Sequence, residues 1–556
     1  MSSLSSSSSL RRSDRISSQP SRYDEEQRSL QLQQQEEREL RRALQESLDL
    51  DDAESTDEEL APLEESPEEA EEEIKEPTLQ SDGGWTTTMH GIVLPPFAGP
   101  FGPVGLLRSV QTPLDFLLLF LSSSLMDYVA ECTNEYAAFK GAMDWVPTNA
   151  SELYCFIAML IYMGIVPLPR LPMYWSSLYS QSFVSRCFSA NRFRKLLHFF
   201  YVSTQAQQVA STDRLKKVRY FLQQLQHSFA SHFNPTRVMT VDEAMVGFKG
   251  RSELKQYIPQ KPTKWGYKVW CLASSNYLLA FNVFEGKTSP SSCASPSDVV
   301  LALVAPYTHR NHVVYLDRYF TSPSLLEELQ LRGFRACGTV RKDRVGLPTA
   351  FKSSAKGMQQ GEMKYWQKQE VGSLVWQDRR AVYILTTHRS PAEITYVSRS
   401  GSSEQKAVPT VVLDYNKYKG GVDTLDQLRG NYAIGRKSMK WWPQLVWWLI
   451  DMCIINAYNL YNQQQQVKIS QLEFREQLME QLAQQYPQGR ARIGRPPHSP
   501  NPHRETEHWP MRSHEEGECV YCSLQPDRRH RSSIQCDVCH VALCIDPCFK
   551  LFHTHN

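Results

Sequence analysis

The apolar positions change their period several times along the chain. Between 112 and 235 they recur at helical spacing. "LDFLLLFLSSSLMDYVAECTNEYAAF" and "SELYCFIAMLIYMGI" each carry a helical-period apolar face, and Asn149 or Ser151 stands where the second helix needs a cap. "RFRKLLHFFYV" and "RLKKVRYFLQQLQHSF" mix Arg and Lys with Phe and Tyr, which suits either a helical core with a wet face or a nucleic-acid surface. From 238 the apolar runs shorten. "KVWCLASSNYLLAFNVFEGK" predicts two strands with a turn at Ser275 and Asn276. "HVVYLDRYF" and "FRACGTVR" predict further strands, and "SPSLLEELQLRG" a short helix with a Ser start and a Gly stop. This strand–strand–strand–helix–strand order predicts an α/β sheet domain. "SLVWQD", "AVYILTTH" and "EITYVSRS" mark 346–412 as an inserted β-rich piece, and helical periodicity returns over 420–485.

Charge divides the chain more sharply than its total suggests. The net charge is +1, but residues 1–80 hold 9 Lys and Arg against 23 Asp and Glu, leaving −14 there and +15 on the remainder. A Ser-, Gln- and Glu-rich acidic arm with few aromatics is expected to be disordered, and a basic body points to a polyanion partner. No apolar run approaches the roughly 20 residues that span a bilayer, and the N-terminus lacks the apolar core of a secretory signal. Six of the 13 cysteines crowd into 519–548, which reads as intracellular metal binding rather than a disulfide framework.

The candidate chemistry starts at "VMTVDEAMVGFKG", 238–250. Asp242 follows an apolar run, and "HVVYLD" ends on Asp317 in the same way. A third acidic group, "GGVDTLDQ", places Asp423 and Asp426 at a helix start. Three carboxylates converging from two strands and a helix would repel one another, and divalent cations remove that cost. Two such ions about 4 Å apart can activate a nucleophile and stabilise a leaving oxygen in phosphodiester chemistry. The plainer reading makes Asp423 a helix cap and the other two solvated strand ends.

The chain resembles the piggyBac family of DNA transposases and their domesticated derivatives. The resemblance rests on "TVDEAMVGFKGR", "YIPQKPTKWGYKVW", "VVYLDRYFTSPSLLEEL", "DYNKYKGGVDTLDQ" and "RKSMKWWPQLVWWLIDMCIINAYN", in that order, and covers roughly 110–556. It implies an RNase H-like catalytic core over 236–345 and 413–465, the β-rich insertion at 346–412, and a helical DNA-binding and dimerisation domain at 110–235. Asp242, Asp317 and Asp423 match the family's catalytic aspartates, with Asp426 at a further acidic position and two Mg2+ or Mn2+ ions as cofactors. The implied activity is cut-and-paste transposition in the nucleus, acting as a homodimer on double-stranded DNA ends and TTAA targets. The alternative is a domesticated, non-cutting DNA-binding regulator, or an adaptor that brings ubiquitinated proteins to chromatin.

The C-terminal stretch 515–556 has its own signature. "CVYC", "CDVC", "CIDPC" and "HTH" give eight candidate ligands for two structural Zn2+ ions. The alternation suggests a cross-brace, with Cys519, Cys522, Cys544 and Cys548 on one ion. Cys536, Cys539, His553 and His555 would take the other, with His540 as a substitute for His555. The family's cysteine-rich domain binds transposon-end DNA, and Arg528, Arg529 and Arg531 lie in the long loop here. A RING-like ubiquitin ligase would use similar ligands. In the basic linker 487–512, "GRARIGRPP" partly matches a minor-groove AT-hook through Arg490, Arg492 and Arg495, with Ile493 where Arg is expected. Within the arm, 36–49 resembles a ubiquitin-interacting motif built on Leu40, Ala43, Leu44 and Ser47. A solvated helix or coiled-coil fragment fits the same residues.

Overall fold

The computed structural model describes residues 83–105, 110–176, 178–179, 182–209, 211–259, 261–286, 295–398, 405–487, 508–525 and 529–554. The motif at 36–49, Arg490, Arg492, Arg495, Arg528 and His555 lie outside them. Of the described residues, those within 83–257 and 263–554 belong to one compact unit. Residues 258–259 and 261–262 are assigned to another, and there the Lys261 amide donates to the Ile258 carbonyl at 3.4 Å.

The helical part includes α1 (Ser123–Phe139), α2 (Ala150–Ile165), α3 (Ala190–Phe199) and α4 (Arg219–His232). Three of them begin on a side-chain cap. Ser122, Asn149 and Ser189 accept the amides of Leu125, Glu152 and Arg192. Every residue from Leu153 to Met163 in α2 is buried, so this helix is core on all sides. The expected helix at "RLKKVRYF" starts late: 214–218 are turns, and α4 opens at Arg219 without a side-chain cap.

Among the described residues the main sheet has nine strands. In chain order they are β1 (Val238–Gly247), β2 (Gln256–Tyr257), β3 (Trp265–Ser274), β4 (Tyr277–Val283), β5 (Val313–Leu316), β6 (Arg335–Thr339), β7 (Met363–Lys368), β8 (Val371–Gln377) and β9 (Ala381–Thr386). The central order is β4–β3–β1–β5–β6. β1, β3 and β4 form an antiparallel meander, whereas β5 and β6 run parallel to β1. The turn between β3 and β4 falls at Ser275 and Asn276, both with positive φ as a two-residue hairpin of this hand requires. α5 (Pro323–Leu331) crosses from β5 to β6, with Ser322 capping its start and Gly333 at φ +76° past its end.

The segment 346–412 is not a separate sheet. β9 pairs antiparallel with β6, and β8 and β7 follow, so its first three strands extend the main sheet. The reason is physical: without β9, the edge of β6 would leave backbone donors and acceptors unpaired. The hairpin Ile394–Ser398 with Gln405–Pro409 stands apart as a two-stranded sheet and leads directly into α6 (Thr410–Tyr418).

α7 (Gly421–Asn431), α8 (Pro443–Gln464) and α9 (Gln471–Gln485) complete the body. α8 is fastened to the edge of the sheet by Asn456. Its amide group accepts from the Leu278 N–H at 2.9 Å and donates to the Leu278 carbonyl at 3.0 Å, taking the place of a neighbouring strand. Asp451 in the same helix is fully buried between Arg475, at 3.7 Å, and Arg429, at 3.6 Å. Burial pushes the Asp451 carboxyl up to about 6 against the pull of both guanidinium groups. No described helix is long and apolar enough to cross a membrane.

Candidate active site and metal centres

Strand register places two of the three aspartates. Val241 and Leu316 are the last facing pair of the parallel β1–β5 ladder. Asp242 and Asp317 are the next residues on each chain, so their Cα atoms leave that pair side by side. Asp317 leaves the strand in a tight turn, its carbonyl accepting the Phe320 and Thr321 amides and the Thr321 hydroxyl. Asp242 does not: β1 continues to Gly247, because β3 pairs with it as far as Gly266. The expectation that Asp242 ends its strand is therefore corrected. The opening at this position comes from the shorter neighbour β5, not from the end of β1.

The third aspartate arrives on α7. The Thr240 hydroxyl donates to the Tyr418 carbonyl at 2.9 Å, pinning the end of α6 on β1 two residues before Asp242. α7 starts at once, and Gly421 lies so close to Thr240 that an added Cβ would sit 2.9 Å from its hydroxyl oxygen. Asp423 is exposed in the first turn of α7, two residues past this contact, and Asp426 is half-buried one turn on. Between the elements stands Tyr415 of α6, whose hydroxyl meets the Thr339 hydroxyl at 3.1 Å. Its phenol is raised far above its ordinary range, first by burial and then by the charge of Asp317, with Asp242 adding to it.

The carboxylates themselves turn onto their own backbone. Asp242 Oδ1 accepts the Glu243 amide at 2.7 Å, and Asp317 Oδ1 the Arg318 amide at 2.5 Å. Among the described residues, the only groups whose donor atoms all lie within 4.8 Å of one another are two Cys and His sets. The aspartates offer the hard oxygen donors that Mg2+ or Mn2+ prefers, but their oxygens are spread wider than that. The loop after Asp317 is held from two sides. Arg344 donates to the Arg318 and Tyr319 carbonyls at 2.8 and 2.9 Å. Lys268 pairs with Glu243 at 3.1 Å and lies 4.4 Å over the Tyr319 ring.

The two Cys and His sets are in the tail. Cys519, Cys522, Cys544 and Cys548 form one, and His508, Cys536, Cys539 and His553 the other. In the first, Cys522 Sγ lies 3.4 Å from Cys548 Sγ and 3.9 Å from Cys544 Sγ. In the second, His508 Nδ1 is 3.3 Å from both Cys536 and Cys539 Sγ, and His553 Nε2 is 3.6 Å from Cys539 Sγ. Tetrahedral zinc with Zn–S near 2.3 Å spaces its sulfurs at about 3.8 Å, so both sets fit such an ion. Phe549 accepts from His553 Nδ1 at 2.7 Å, which leaves Nε2 free to face the thiols. A hairpin, Pro510–Glu518 with Arg531–Cys536, carries both sets. The local apolar core is small, centred on Leu543 and Phe552.

His508 was not among the expected ligands. It lies in the segment read as a basic linker, 11 positions before Cys519, with no spacing signature of its own. His540, the suggested substitute, is in neither set. Arg529 and Arg531 are exposed, and Arg531 donates to the Glu516 carbonyl at 2.8 Å.

Residues 112–458 match the family model described as Transposase IS4. That is more than half of the chain, and the chain belongs to this family of transposases, in its piggyBac-type branch. Among curated proteins it is similar to PiggyBac transposable element-derived protein 3 of Homo sapiens. The two are 27% identical over 387 residues, 66% of this chain and 64% of that protein, so less than two thirds of that relative is spanned. It is 25% identical to PiggyBac transposable element-derived protein 5 of Homo sapiens over 72% of this chain and 81% of that protein. In fold it is similar to a piggyBac transposase solved in a synaptic complex with hairpin DNA. The TM-score is 0.63 at 23% identity, covering 70% of this chain and 83% of that one.

Proposed function

We propose that the chain is a metal-dependent DNA transposase, acting by cut-and-paste at TTAA targets, with Asp242, Asp317 and Asp423 as its carboxylate site. The observation that carries this reading is the β1–β5 register, which sets Asp242 beside Asp317 one residue past Val241 and Leu316. The central strand order β4–β3–β1–β5–β6, a meander followed by two parallel strands, supports an RNase H-like core. Asp242, Asp317 and Asp423 would hold two Mg2+ or Mn2+ ions, with Asp426 in support. Such ions supply an activated nucleophile and charge compensation at phosphorus. Tyr415 and Thr339 fix the floor behind the aspartates, while Arg344 and Lys268 fix the loop that follows Asp317. The tail sets would each hold one Zn2+ and fold the tail onto DNA. The protein would act in the nucleus as a homodimer on double-stranded DNA.

A second reading has one specific support: the similar curated proteins are transposable element-derived. On that reading the fold serves as a DNA-binding regulator without cutting, with ubiquitin recognised through 36–49. Manganese titration followed by electron paramagnetic resonance separates the two. The first reading expects sites on the full chain that Asp242→Asn and Asp317→Asn each weaken and that chelated tail zinc does not affect. Identical manganese binding in the wild type and both variants would leave only the second.

A further inference from the structure

Away from the aspartates, two adjoining hollows of about 370 and 290 Å3 share Met439, Lys440 and Trp442. The ridge between them is the loop 435–441 leading into α8. Arg194 of α3 and Lys437 border the larger hollow, and Lys140, Lys217 and Arg251 the smaller; neither lining contains an Asp or Glu. The cations feel one another. Burial lowers the Lys440 ammonium, and Lys140 and Lys217 lower it further. Lys440 is held in place by the His198 carbonyl at 2.8 Å and by the Tyr136 ring at 5.0 Å. Tyr136 is stacked on Tyr201, 4.2 Å apart and 11° from parallel. This is a built, preorganised cation cluster without an acidic counterpart in its walls. At the ridge stands an apolar side chain: Met439 is 81% exposed between Lys437 and Lys440.

Cation-lined grooves with aromatic walls follow a nucleic-acid backbone, and apolar side chains on a ridge between them enter base steps and unstack them. We propose that the ridge at Met439 is a DNA wedge: Lys140, Lys217 and Lys440 seat phosphates of one strand, and Met439 parts the adjacent bases. The placement suits the carboxylates. Trp441, on the ridge, packs its ring 6.3 Å from that of Tyr267, which pairs with Val246 on β1. Asp242 lies four residues back along that strand, about 13 Å. At about 3.4 Å per base step that length of strand alone spans about four steps, so opened DNA at the ridge would lie several base steps from the proposed cutting site.

The inference rests on the DNA-binding reading above and is tested on the full chain. Two duplexes of the same sequence are titrated at two salt concentrations, one fully paired and one with a central mismatch beside 2-aminopurine. A wedge pays less to open the mismatch, so the wild type is expected to bind it about fivefold or more tightly and to brighten the probe. Met439→Ala should keep the affinity for paired duplex but lose the preference and the brightening. Lys140→Gln with Lys217→Gln should weaken both duplexes alike and reduce the salt slope by about 2. Equal affinity of the wild type for both duplexes overturns the wedge, as does an unchanged preference in Met439→Ala. Absence of binding to either duplex overturns the DNA-binding reading as well.

Discussion

Thr240 and Gly421 touch: the threonine hydroxyl, bound to the Tyr418 carbonyl, lies where a side chain on residue 421 would begin. This contact joins β1 to the helix that carries Asp423. Gly421→Ala is therefore expected to push α7 off the strand. The stability cost should be about 1–3 kcal/mol, the usual range for overpacking. Metal-dependent activity should fall by more than stability predicts, because Asp423 moves with the helix. Denaturant melts and activity, measured side by side, check this.

Asn456 makes both ladder bonds that the Leu278 backbone needs. Asn456→Ala leaves a buried N–H and a buried carbonyl without partners and should cost about 2–4 kcal/mol. Hydrogen exchange at the Leu278 amide is expected to accelerate with it. Exchange at the wild-type rate would mean that this edge is held by something else.

The buried Asp451 carboxyl is raised to about 6, above its ordinary 3.8. Its folded state thus favours the proton. The stabilising contribution is full below about 3.8 and is lost as pH rises through about 6. Asp451→Asn keeps a neutral group there at every pH and so removes this dependence. Unfolding free energies of both proteins between pH 4 and 7 test it. The wild-type advantage should shrink as pH rises.

In the tail, each Cys and His set should hold one zinc. Cys522→Ser and His508→Ala are each expected to reduce bound zinc from two ions to one per chain, by elemental analysis, whereas His540→Ala should leave both. Loss of zinc in His540→Ala but not in His508→Ala would contradict the assignment.

Local chemistry made much of this legible in the sequence. The turn at Ser275 and Asn276, the caps at Asn149 and Ser322, and the alternation of the six tail cysteines are each written within a few neighbouring residues. What stayed hidden is non-local. Nothing near Asp242 tells that β1 runs on beside a longer β3, and nothing in 346–412 tells that its strands close the edge of β6. His508 reaches its thiols only through the hairpin fold of the tail. Lys140, Lys217 and Lys440 come from three separate stretches, and only the fold brings them to the wall of one hollow, with Lys440 over the Tyr136 ring.

The central claim is that Asp242, Asp317 and Asp423 form one metal-dependent site that cuts DNA. The most direct measurement is strand cleavage by the full chain on duplex DNA carrying TTAA, with Mg2+ or Mn2+, compared with Asp317→Asn. The account predicts metal-dependent cuts by the wild type, none above background by the variant, and equal DNA binding by both. Cleavage by Asp317→Asn at the wild-type rate would contradict it.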